Sequence, residues 1–124
     1  MNSVKVGNTE YMMNATGLSA VIFTDEFHQD IFRACQFFTF AVNKGVHPDI
    51  DITSKLMYTF IKNANEGVVK DYRTFMSNLK GIRCFYEVSN LNAILKEINE
   101  LLETGEELPA ENGKKKTKKT AANN

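Results

Sequence analysis

The stretch Ile31-Phe32-Arg33-Ala34-Cys35-Gln36-Phe37-Phe38-Thr39-Phe40-Ala41-Val42 decides how the chain is read. Within it, Ile31, Ala34, Cys35, Phe38, Ala41 and Val42 recur at steps of three and four residues, the spacing that lines one side of a helix. Phe27, Phe32, Phe37 and Phe40 lie partly off that stripe. A helix apolar on most of its sides either sits centrally in a core or turns a face to a partner. Asp25 or Asp30 can open it, and Gly45, with Pro48 just beyond, ends it.

Toward the N-terminus, Val4-Lys5-Val6 and Glu10-Tyr11-Met12-Met13 flank Gly7-Asn8, a turn-forming pair, and read as a hairpin. Thr16 or Asn14 caps a short helix through Leu18, Val21 and Ile22 to Asp25; its β-branched content leaves a strand as the alternative. Toward the C-terminus, Asp49-Ile50-Asp51-Ile52 reads as an extended linker, with Thr53 or Ser54 capping the next helix. That helix has Leu56, Met57, Phe60, Ile61 and Ala64 on its apolar face and ends near Gly67. Val68, Val69, Tyr72, Phe75, Met76 and Leu79 form another amphipathic stretch, stopping at Gly81. Residues 82–88 fit a strand or a helix continuation. Ser89 or Asn90 then opens the clearest helix, with Leu91, Ile94, Leu95, Ile98, Leu101 and Leu102 on one face. Glu97, Glu100 and Glu103 point elsewhere, and Gly105 is its stop. The fold expected is mainly α: four to five amphipathic helices preceded by a short N-terminal β-hairpin, in one globular domain over residues 1–105. A flexible tail, acidic and then basic, occupies residues 106–124.

Charge separates these two parts. Residues 109–124 hold Lys114, Lys115, Lys116, Lys118 and Lys119 against the single acid Glu111, so this segment is +4. The preceding 108 residues hold ten basic and fourteen acidic side chains, a net of −4. At 43% hydrophobic, slightly below the usual globular range, and 24% charged, the whole chain has the composition of one that folds. No run approaches the roughly 20 apolar residues of a membrane span, so no membrane is expected. No basic region followed by an apolar one marks a signal peptide. Asn14-Ala15-Thr16 matches a glycosylation acceptor only in pattern. Cys35 and Cys84, far apart and in apolar surroundings, fit a reduced cytoplasm and act as small buried hydrophobes.

Chemistry-bearing motifs are scarce. His28 and His47 sit in no HExxH or Cys/His ligand spacing. Asp25, Glu26, His28 and Asp30 lie close in sequence, but charges at a helix start also serve its dipole without a metal. Asp49 and Asp51 begin like a calcium loop, which then fails at Ser54, where glycine is required, and at Phe60, where the bidentate Glu belongs. The seven glycines form no phosphate-binding loop. The expectation is therefore a protein that is not an enzyme, with no catalytic residues, no metal and no cofactor.

What remains is binding. So small a body cannot hide all the apolar surface of residues 27–42, and large exposed apolar patches mark interaction sites. Phe27, Phe37 and Phe40 are the candidates for client contact or self-association, whereas Phe32, Phe38 and Phe40 are mostly expected in the core. Phe40 thus carries both readings. The tail lysines can contact phosphates, but the acidic body offers no basic helix, so nucleic acid is not the expected partner. A small nucleic-acid-associated protein using this tail, or a small regulatory binding partner, is the alternative.

The order of elements resembles that of the tail assembly chaperones of long-tailed, siphovirus-type bacteriophages. The resemblance rests on Val4-Lys5-Val6-Gly7-Asn8-Thr9-Glu10-Tyr11 as an opening strand–turn–strand, a short helix over 15–26, several amphipathic helices, a closing helix over 91–102 and a charged end. It spans nearly the whole chain through degenerate motifs. It implies an assembly factor that coats the tape-measure protein, helps recruit the tail-tube protein, self-associates, works in the host cytoplasm and is absent from the mature virion. It also implies a longer form made by ribosomal frameshifting, and Gly113-Lys114-Lys115-Lys116 can be encoded by a slippery run of A.

Overall fold

The computed structural model describes residues 2–67 and 69–103. Strand β1 (Asn2–Val6) pairs antiparallel with β2 (Thr9–Met13), in a register that sets Val6 opposite Thr9 and Asn2 opposite Met13. Gly7 takes φ +64° in the two-residue turn, a conformation glycine adopts without a Cβ penalty. Alternation puts Val4, Val6 and Met13 on the inward face, and all three are buried. Five α-helices follow among the described residues: α1 (Gly17–Phe27), α2 (Ile31–Asn43), α3 (Ile50–Ala64), α4 (Tyr72–Ser77) and α5 (Val88–Leu101). A 3-10 turn, Arg83–Phe85, precedes α5. The mainly helical fold with its N-terminal hairpin is the one expected.

The central helix is α3. It packs against α1, α2, α4, α5, the 3-10 turn and β2, and Leu56, Met57, Tyr58, Phe60 and Ile61 are fully buried. Thr53, Ser54 and Thr59 are buried with them, because each hydroxyl bonds back to a carbonyl of its own helix. Thr53 Oγ1 donates to Asp49 O (3.0 Å), Ser54 Oγ to Asp51 O (3.2 Å) and Thr59 Oγ1 to Lys55 O (2.8 Å). Hydroxyls satisfied in this way can enter a core without leaving an orphaned polar group.

Several local expectations are corrected. Asp49 to Ile52 is not a linker: α3 begins at Ile50, and the Asp49 carboxylate caps it by accepting from Asp51 N (2.7 Å). Among the described residues of the next amphipathic stretch, 69–79, only Tyr72–Ser77 is helical, because Asp71 starts the helix by accepting from Thr74 N (2.7 Å). Residues 82–88 are neither strand nor continuous helix but the 3-10 turn and the entry to α5. Neither Ser89 nor Asn90 caps α5; Glu87 holds the cap position with no side-chain cap bond. The helix ends at Leu101, with Glu103 at φ +56° just beyond, while Gly105 lies outside the described residues.

Asn90 fastens the hairpin instead. Its Oδ1 accepts from Lys5 N (3.1 Å), and its Nδ2 donates to Lys5 O and to Cys84 O (both 2.9 Å). The side-chain amide thus occupies the outer edge of β1 as a neighbouring strand would, closing an otherwise open sheet edge. On the other strand, Asn65 Nδ2 donates to Met12 O (3.0 Å), and Asn14 N donates to Phe60 O (3.0 Å).

Candidate functional site

Helix α2 is bounded by local chemistry. The Asp30 carboxylate accepts from Phe32 N (3.1 Å), and past the last turn Gly45 takes φ +73°. At about 100° per residue, Ile31, Ala34, Cys35 and Phe38 gather on one side, and all four are buried. Phe32, Arg33, Gln36, Phe37, Phe40 and Lys44 occupy an arc of about 140° on the opposite side. Phe32 is 49% exposed, Phe37 52% and Phe40 61%, whereas Phe38 is fully enclosed. The Arg33 guanidinium lies over the Phe37 ring at 5.8 Å, and Lys44 Nζ over the Phe40 ring at 5.0 Å. No acidic residue lies within α2.

Of the three phenylalanines expected to make contacts, Phe37 and Phe40 therefore share one exposed face. Phe27 is elsewhere. Its ring packs edge-on against Tyr72 (4.8 Å), Phe23 (5.0 Å) and Tyr58 (5.9 Å), with Lys55 Nζ above it at 5.2 Å. Phe32, expected in the core together with Phe38 and Phe40, joins the exposed face, and so does Phe40; only Phe38 is internal. Arg33 and Lys44 were not singled out from the sequence; their spacing with Phe37 and Phe40, at steps of four, three and four, is the signal that places all four on this face. Lys114, Lys115, Lys116, Lys118 and Lys119 lie outside the described residues.

The acidic residues next to α1 serve local structure. Glu26 accepts from Tyr58 OH (3.1 Å) and from Tyr72 N (3.3 Å), tying α4 to α1 and α3. Burial, with the Glu26 charge beside it, raises the Tyr58 phenol above its ordinary range. Asp30 is the α2 cap, and His28 ends α1 at φ +53°. Among the described residues, no three His, Cys, Asp or Glu side chains gather to hold a metal ion. His47 Nε2 lies 2.8 Å from Phe85 O, and its ring rests against Tyr86 at 4.5 Å.

Both cysteines are free and buried. Burial, reinforced by the Asp30 charge, pushes the Cys35 thiol up to about 12, and burial also raises Cys84. Each thiol stays protonated near neutral pH, and the protonated form is a poor nucleophile. Glu97, expected to point away from the core, is buried instead; burial raises its carboxyl, while a hydrogen bond from the Asn2 side chain works the other way. Among the described residues, no helix is long and apolar enough to cross a membrane. The chain matches no protein-family model, no curated protein and no solved structure.

Proposed function

We propose that this protein is a non-enzymatic assembly chaperone for the tails of long-tailed bacteriophages, holding an apolar part of the tape-measure protein on the outer face of α2. It acts in the host cytoplasm, helps bring tail-tube subunits to the client, and leaves before the virion is complete. One observation carries the reading: Phe32, Phe37 and Phe40 present half-exposed rings on a single helix face. A phenylalanine buries roughly 150 Å² or more when enclosed, so three such rings leave on the order of 250 Å² of aromatic surface open to a partner. Exposed apolar side chains scattered singly are ordinary, whereas rings gathered on one helix face form the kind of patch that is often functional. The order of hairpin, short helix and amphipathic helices, which resembles that family, supports the choice of client.

The test is suppression of aggregation. A tape-measure protein of a long-tailed bacteriophage is diluted from denaturant, and light scattering is followed with and without this chain. The wild-type chain is expected to suppress scattering at near-equimolar ratio, and the Phe37→Ser/Phe40→Ser variant to lose most of that effect while keeping its helical circular dichroism. Equal suppression by both proteins, or none by either, would sink the proposal.

A further inference from the structure

The exposed face of α2 has an order along its length as well as an apolar character. Arg33, Phe37, Phe40 and Lys44 follow one another at steps of four, three and four residues, so they form a single seam along the helix. The two cations stand at its ends, about 16 Å apart along the axis, with the two rings between them. Each cation is held over the ring next to it, Arg33 over Phe37 and Lys44 over Phe40. Those contacts limit where the charges can be, which lowers the ordering cost of meeting a fixed partner. The nearest acid in sequence, Asp30, keeps its charge while accepting from Phe32 N, and among the described residues no ion pair joins it to Arg33 or Lys44. The seam is thus cationic on a body whose first 108 residues are net negative.

We propose that this seam takes an α-helix of the client that carries two apolar residues flanked, at the same four–three–four spacing, by a carboxylate at each end. The inference rests on the binding role proposed for α2 and adds the chemistry of the segment bound. A helix fits because the seam repeats every three to four residues, the period at which two helices interlock side by side. Carboxylates fit because each end then gains an opposite charge, with a two-pronged bond available at the Arg33 guanidinium. A second copy of the same seam does not fit. Antiparallel pairing sets Arg33 against Lys44, parallel pairing sets each cation against its twin, and like charges across an interface select against it.

Two designed helical peptides of 18 residues make the test. Both carry the same leucine pair in the seam; one has Glu at both flanking positions and the other has Lys. Fluorescence anisotropy with the full 124-residue chain is recorded at low and high salt. The Glu peptide is expected to bind about tenfold more tightly at low salt, as two exposed ion pairs permit, and the gap should shrink at high salt. The Arg33→Glu/Lys44→Glu variant should then prefer the Lys peptide. Equal affinities, or a preference unchanged by that charge reversal, would overturn the acidic-helix assignment while leaving an apolar binding face in place. If neither peptide binds, or if Phe37→Ser/Phe40→Ser leaves the Glu peptide's affinity unchanged, the face is not a helix-binding site and the assignment fails with it. Circular dichroism of each variant separates loss of binding from loss of fold.

Discussion

Asn90 shows how much one side chain can hold. Its amide satisfies Lys5 N, Lys5 O and Cys84 O, joining β1, the 3-10 turn and α5 at one point. Asn90→Ala leaves three backbone groups short of partners, and the expected loss is about 2–3 kcal/mol. It should appear as a lower urea midpoint with an unchanged slope. Glu97 predicts the opposite sign. Its buried carboxyl is raised above the ordinary glutamate value of 4.5, so the folded state holds its proton more firmly than the unfolded chain. Its contribution is therefore fully present below that ordinary value and is lost as pH climbs through the raised one. Glu97→Gln should therefore raise the melting temperature near pH 7 and make little difference near pH 4, as melts across that range would show. Neither role could be read from spacing. An Asn just after an ambiguous stretch reads as a cap, and a Glu off the leucine stripe reads as solvated, until a strand distant in sequence is placed beside them.

Among the elements, α3 is the central one, and α2, for which the sequence left a central place or an outward face open, turns one face outward. Helix α2 is richer in phenylalanine, yet α3 is surrounded, because its Thr and Ser hydroxyls close on their own backbone and leave it compatible with contact on several sides. The two sides of α2 should respond differently to mutation. Phe38→Ala removes a ring with no solvent contact and should cost about 3–5 kcal/mol. Phe40→Ser removes one that is 61% exposed and should stay within about 0.5 kcal/mol, as surface changes usually do. Thermal melts of both variants would check this; a large loss at Phe40 would mean that its ring is packed and not presented. Asp49→Ala should cost about 1 kcal/mol by uncapping α3, where the sequence reading saw only a linker. Residues 49–52 misled because alternating Asp and Ile has the look of extended chain. The cap bond from Asp51 N to Asp49 turns that alternation into a first helical turn.

For the molecule as a whole, the buried cysteines give a check on the core. Cys35 and Cys84 should resist a thiol reagent at neutral pH while the protein is folded and react promptly in denaturant. Rapid labelling of Cys35 in the native protein would show that the packing around α2 opens. The sequence by itself determined the hairpin, since a Gly-Asn pair between short apolar strands has few other solutions, and it determined most of the helices, since three- and four-residue spacing is a local property. It also pointed to more exposed aromatic surface than a small body hides, and to Phe37 and Phe40 within it. Only the tertiary structure decided that α3 is central, that Phe27 turns inward among Phe23, Tyr58 and Tyr72, and that Phe32 turns out. Those outcomes depend on which neighbours supply partners and fill space around each side chain, and neighbours distant in sequence leave no trace in the periodicity of the segment they cover.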